Sequence, residues 1–415
     1  MATPDDLNEK LGSSTTAWSR ASTLGTCVDM SWYGTWLSQQ LENLPYCLKE
    51  LRVGSDGLLG KSNGLDRIFK ALEDYIRIDE GVSIDEIVIH LQKIEMLDSA
   101  EELLGAQRLL IFAVLGWGSM LYQAAFNVCS LQELAIHQDS DQPQSGLVFD
   151  TYRVPADLSD RPLSILLKAF GNILPSRSSD IAQVASENSK IASSWTPLYP
   201  TETNAYLLHT LLRVQIRWVD ALALHLDYDK SSRTLSLFSY PSFCLEMLHS
   251  GGIVYSFASI EDYGPDLRAD RDNKEDISQF LQEVLLSYRL LFGQSAKSRR
   301  LFRHTFKPPG GHDNLADFLL PLICTRKQLV DTPKSIPMDR PIYFTARDFP
   351  VLYDRIEIIS KELKDARPKS IHDLIRDRRD TLQYWTFWLV AIIGGISILL
   401  SLIQVILQAV QLIQG

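Results

Sequence analysis

The chain reads as mainly α with a small β element, an α+β fold class, carried on a C-terminal transmembrane helix. Three observations point there. Apolar residues recur at helical spacing through most segments between residues 29 and 366. Strand-like alternation is concentrated around residues 214–238. In the closing stretch YWTFWLVAIIGGISILLSLIQVILQAVQLIQG, no residue from Trp385 to Ile403 is charged, and at ~1.5 Å rise per residue that run covers roughly the ~30 Å hydrocarbon core of a bilayer.

Composition bounds the rest. Of 415 residues, 45% are hydrophobic and 22% charged, ordinary globular values that exclude wholesale disorder. A net charge of −10 argues against nucleic acid as a general partner, because phosphate contacts need a surplus of Lys and Arg. Cys27, Cys47, Cys129, Cys244 and Cys324 lie far apart without a C-x-x-C pair, so they signal neither a disulfide framework nor zinc and fit a reducing cytosol. The opening MATPDDLNEKLGSSTTAW lacks an apolar core and does not read as a secretory signal.

In order, residues 1–28 read as a disordered N-terminal tail, 29–137 as a helical subdomain and 138–366 as an α+β subdomain. Residues 367–383 read as a basic juxtamembrane segment and 384–411 as the transmembrane helix. Helical spacing predicts helices over Trp32–Leu51 and Leu65–Ile78. Ser83 with Glu86, and Ser99 with Glu102, have the S-x-x-E spacing of a capping box and predict two helix starts. The second leads into an apolar stretch, Leu109–Tyr122, too short to cross a bilayer and better suited to a central buried helix. A polar texture over Gln138–Asp160, around a strand-like Leu147-Val148-Phe149, suggests the subdomain boundary. A helix over Pro162–Leu174, a Ser-rich loop over Ser176–Ser194 and a helix over Ala205–Leu212 follow.

The β content is expected at Val214, Ile216 and Trp218, at Leu226–Tyr228, and at Thr234–Phe238 after the Asp229–Ser232 turn. An acidic loop over Glu261–Asp276 then precedes an amphipathic helix over Ile277–Leu291. Helices over Asn314–Leu329 and Phe349–Leu363 are separated by Pro333, Pro337, Pro341 and Pro350, and Ile371–Arg379 reads as a last helix leading into the span.

Motifs for chemistry are not found, and no catalytic, cofactor-binding or metal-ligating residue is singled out. GSDGLLGKS at Gly54–Ser62 misses the phosphate-loop spacing, since Gly54 is one residue early and Ser55 stands where Gly belongs. Asp266–Asp276 and Asp227/Asp229/Ser231 both fail the calcium-loop rule and read as solvated loops. His225, inside an apolar stretch, reads as a hydrogen-bonded interior histidine. Lys297, Arg299, Arg300, Arg303 and Lys307, in the acid-free run KSRRLFRHTFK, form a basic segment. Either it faces an anionic leaflet, at ~1 kcal/mol per charge, or it is a solvated helix face pairing with acidic residues nearby.

The span carries the functional signal. Tyr384, Trp385 and Trp388 stand where amphipathic rings settle at headgroup level, with Arg376, Arg378 and Arg379 just before them, which places that end at the cytosolic face and makes the segment a tail anchor. Gly394, Ser397, Ser401, Gln404, Gln408 and Gln411 follow at steps of three and four, a seam of small and polar side chains suited to helix–helix association and a homo-oligomer. The alternative is that everything after Ile403 lies in the interface as an amphipathic helix.

LLIFAVLGWGSMLY, IRWVDALALHLDYD with LFSYPSFC, LSYRLLFGQSAKSRRLF and above all RDRRDTLQYWTFWLVAIIGGISILL resemble a group of uncharacterised filamentous-fungal proteins that end in a single transmembrane helix. The resemblance covers roughly residues 100 to 410. It implies a fungal, membrane-associated protein and brings no activity or functional residue. Magnesium transporters of the CorA type share the layout of a cytosolic domain before membrane helices, but this chain has one span and no G-M-N. The expected function is a tail-anchored, single-pass protein presenting a cytosolic binding or scaffold domain to a protein partner. An enzyme without a recognisable motif and a subunit of an oligomeric channel are the alternatives.

Overall fold

The computed structural model describes residues 29–54, 57–59, 64–78, 81–126, 131–137, 151–171, 173–177, 196–258, 268–306, 308, 316–326, 336, 338–366 and 381–414. The expectations for the tail, for Leu147-Val148-Phe149, for most of the Ser-rich loop and for Ile371–Arg379 lie outside these residues, as do most of Gly54–Ser62 and the start of the acidic loop.

Among the described residues, helices dominate, with two antiparallel two-stranded pairs and one three-stranded sheet, as expected for an α+β chain. The first segment is α1 (Ser31–Glu42) and α2 (Tyr46–Lys49) rather than one helix to Leu51. The break falls at Asn43–Pro45, because a proline has no N–H to continue the ladder and restricts the residue before it. α1 buries Trp32, Tyr33 and Trp36. α3 (Gly64–Ile78) and α4 (Ile84–Lys93) follow, and α4 opens with the predicted capping box: the Glu86 N–H donates to Ser83 Oγ at 3.1 Å and the Ser83 N–H donates to Glu86 Oε2 at 2.8 Å. The second predicted box does not form. A 3₁₀ turn over Glu101–Leu103 begins there with Ala100 as its cap, which leaves Ser99 one residue outside.

α5 (Leu104–Ser119) is the centre of the molecule, and Leu110 to Leu115 are each 0% exposed. It packs against α4, α2 and the 3₁₀ turn Ile253–Phe257. The chain doubles back at Met120, in the left-handed region at φ 48°, so that the Tyr122 hydroxyl returns to donate to the Phe112 carbonyl at 2.8 Å. Gly116 permits this, since a Cβ there would meet the Tyr122 carbonyl oxygen at 3.0 Å and its ring at 2.9 Å.

β1 (Glu133–His137) pairs antiparallel with β2 (Thr151–Pro155). α6 (Leu163–Ala169) is shorter than predicted and ends near Phe170 and Gly171, the latter at φ 94°. β3 (Pro197–Leu198) precedes α7 (Ala205–Leu211), whose N-cap Asn204 accepts from the Leu207 N–H. β4 (Gln215–Val219), β5 (Tyr228–Asp229) and β6 (Thr234–Phe238) form the sheet expected in this region, in the order β4-β6-β5. β4 runs parallel to β6, and β5 antiparallel.

α8 (Pro241–Ser250) lies along α9 (Arg268–Tyr288). α9 begins nine residues before the predicted Ile277, inside the acidic stretch. Residues 268–276 contain neither Gly nor Pro, and charged residues are compatible with a solvated helix. A single π turn, Arg289–Gly293, ends it. The remaining elements are α10 (Ala296–His304), α11 (Leu319–Thr325), β7 (Tyr343–Phe344) paired with β3, α12 (Thr345–Asp348), α13 (Tyr353–Asp365) and α14 (Thr381–Gln414).

One contiguous apolar core takes in residues from both sides of position 138. Trp32 of α1 stacks on Tyr240 at 3.8 Å between centroids, its indole N–H donates to Ser242 Oγ at 2.9 Å, and the Trp36 indole donates to Asp220 at 3.0 Å. The N-terminal helices are thus tied to the α8 region by aromatic packing and polar bonds together.

Candidate functional site

α14 is long and apolar enough to cross a membrane over Trp385–Ala409, and none of that window is buried against the rest of the chain. A soluble core helix of such composition would be buried. Its aromatic entrance has Trp385 exposed and the Phe387 and Trp388 rings edge-to-face at 5.8 Å; Tyr384 lies in the same helix. Arg376, Arg378 and Arg379 fall outside the described residues. Gly394, Ser397, Ser401, Gln404, Gln408 and Gln411 are all exposed on one unbroken helix, and no atom stands within 4 Å of a Cβ built on Gly394 or Gly395.

The basic segment forms α10. Ser298 and Phe302 are its buried face, while Lys297, Arg300, Arg303 and His304 are exposed. Two of its cations reach backbone carbonyls at ends of neighbouring elements: Arg299 donates to the Gly293 carbonyl at 2.6 Å and Arg303 to the Thr325 carbonyl at 3.2 Å. Cations suit such carbonyl-rich ends. Lys297 lies 4.7 Å from the centre of the Tyr206 ring. Lys307 is outside the described residues.

His225 is interior and hydrogen-bonded, as its apolar neighbours predict. The Phe238 N–H donates to its Nδ1 at 3.2 Å, so the proton sits on Nε2, which donates to Ser287 Oγ at 2.8 Å. Burial, helped by Arg355, pushes its pKa down to about 3 and keeps the ring neutral. Asp317 is likewise enclosed. It accepts from the N–H groups of Leu319 and Leu320, which caps α11, and from the Ser242 N–H at 2.8 Å and hydroxyl. Burial raises its pKa to about 6 despite these donors. Asp229 binds its own turn through the Ser231 N–H and hydroxyl. Among the described residues, no three His, Cys, Asp or Glu side chains converge to hold a metal ion.

Sequence reasoning missed a polar cleft. It measures about 530 Å³ and lies between α9, which contributes Gln279, Gln282 and Glu283, and the segment from Arg340 to α12, which contributes Arg340, Arg347 and Asp348. Asp348 is buried and holds both guanidinium groups. Arg347 donates through Nε at 3.0 Å and Nη2 at 2.9 Å, Arg340 through Nη1, and the Phe344 N–H completes the set at 2.7 Å. Glu283 caps α13. Its carboxyl accepts from the Leu352 N–H at 2.7 Å, from the Val351 N–H and from the Gln279 amide. Burial pushes it up to about 8 against the pull of those donors. No local spacing marks these residues, since they come from segments about sixty positions apart in the chain. A second hollow of about 280 Å³ lies beside Arg77, Gly251, Gly252 and Tyr255.

The cleft wall is braced from behind. Arg289, fully buried, forms a bidentate pair with Asp339 at 2.7 and 2.6 Å and donates to the carbonyls of Ile323 and Arg326. Asp339 immediately precedes Arg340, so this clamp fixes the backbone from which Arg340 projects. Comparison of the chain with protein-family models, with curated proteins and with solved structures finds no match.

Proposed function

We propose that the chain is a single-pass membrane protein whose C-terminal helix anchors a cytosolic binding or scaffold domain, residues 29–366, at a bilayer surface. The observation that carries this reading is the uncovered apolar window Trp385–Ala409. In water such a surface is costly at ~25 cal/mol per Å² of exposed apolar area, and hydrocarbon removes that cost. Orientation follows from the arginines ahead of the aromatic entrance under the positive-inside rule. The Gly/Ser/Gln seam supports self-association, because amides and hydroxyls find partners on a second helix that lipid does not offer.

Protease added to the cytosolic side of sealed membranes should remove the domain and leave a protected fragment of the span's size. A domain that resists until the membrane is opened contradicts the orientation. Crosslinking through a cysteine introduced at Ser401 should trap a dimer that the unsubstituted chain, with its exposed Cys47, does not form and that Gln404→Leu weakens. A monomer throughout would remove self-association and leave the anchor.

A further inference from the structure

We infer that the cleft between α9 and the Arg340–Asp348 segment is a binding site for a phosphate group of the monoester class. The argument begins with unequal charge. Two guanidinium groups share one carboxylate, so Arg340, Arg347 and Asp348 together leave one positive charge over. Glu283 does little to cancel it near neutral pH, because burial holds much of its carboxyl in the protonated form. The next step is donor geometry. Asp348 occupies Nη1 of Arg340 and Nε and Nη2 of Arg347, and these side chains remain 50% and 43% exposed. Among the described residues, Nε and Nη2 of Arg340 and Nη1 of Arg347 therefore remain for a ligand, beside the amide of Gln282, while that of Gln279 is engaged by Glu283.

The arrangement is also rigid before anything binds. Asp348 is fixed by the Phe344 N–H, Arg347 rests 4.7 Å from the Phe344 ring centre, and Asp339 is clamped by Arg289. Pre-set donors lower the ordering cost of binding. A phosphate monoester presents three oxygens on a tetrahedron and can meet donors from two arginines and a glutamine at once. A carboxylate presents two oxygens in one plane and would satisfy fewer. The phosphate could come from a soluble ligand or from a lipid headgroup.

The test titrates inorganic phosphate into the full chain held in phosphatidylcholine nanodiscs, read by calorimetry. Saturable one-to-one binding is expected. Arg340→Gln and Gln282→Glu should each weaken it tenfold or more, and Lys361→Gln, on the exposed face of α13, should leave it unchanged. Gln282 is exposed and carries no hydrogen bond among the described residues, so its replacement keeps the fold, which an unchanged unfolding midpoint without phosphate verifies. Repeating the titration in discs containing phosphatidic acid separates the sources. Competition assigns the site to a headgroup, and an unchanged affinity assigns it to a soluble phosphate. No saturable binding, or equal affinity in Gln282→Glu, overturns the inference.

Discussion

At the scale of single residues, burial moves the pKa of three interior side chains, Glu283, Asp317 and His225, away from its ordinary value. Glu283 shows the consequence. Its carboxyl, normally near 4.5, is raised to about 8, so the folded chain keeps a proton that the unfolded chain has already released. The stability it contributes is complete below about 4.5 and declines as pH rises through about 8. Urea unfolding of the wild type should therefore weaken from about pH 5 to about pH 8, by on the order of a few kcal/mol, and Glu283→Gln should flatten that slope. His225 has the opposite sign. Its neutral form is stabilised, so its contribution is present above 6.5 and lost as pH falls toward about 3. A second prediction concerns Gly293. A Cβ there would stand 2.4 Å from the Arg289 guanidinium carbon, and that guanidinium cannot swing aside because Asp339 and two carbonyls hold it. Gly293→Ala should lower unfolding free energy by about 1–3 kcal/mol, a typical cost of overpacking. A neutral result would mean that Arg289 is less firmly held than its bonds imply.

At the scale of elements, α4 is the case where sequence and structure agree most closely. Ser83 and Glu86 close a reciprocal box at its start, and Ser83→Ala should cost about 1 kcal/mol, measurable as a lowered unfolding midpoint. A change within error would show that the Glu86 half suffices. The same S-x-x-E spacing at Ser99 makes no box, because a cap requires the helix to begin at the next residue, and here a 3₁₀ turn begins later. Local signals located α3, α5, α7 and the strands β4 to β6, since each depends on periodicity within its own segment. The parallel pairing of β4 with β6 was not legible, because a ladder partner is set by tertiary packing rather than by alternation. The β1–β2 pair was missed because its short strands are separated by residues 138–150, without a tight-turn signature. The cleft was invisible for the same reason. Arg289 with Asp339, and Glu283 with Val351 and Leu352, are contacts across fifty or more positions.

At the scale of the whole molecule, two surfaces contrast. Residues 29–366 enclose one continuous core around α5, whereas α14 exposes its leucines and isoleucines on every side. The proposed anchor accounts for both properties with two solvents, water for the domain and hydrocarbon for the helix. The long apolar helix was legible in the sequence because an uncharged run of bilayer length is a local property that needs no knowledge of the fold. The most direct test is alkaline extraction of membranes from cells expressing the full chain and the chain ending at residue 380. The account predicts that the full chain stays in the pellet while the shortened one is released. Finding the full chain in the supernatant, its domain folded, would contradict it.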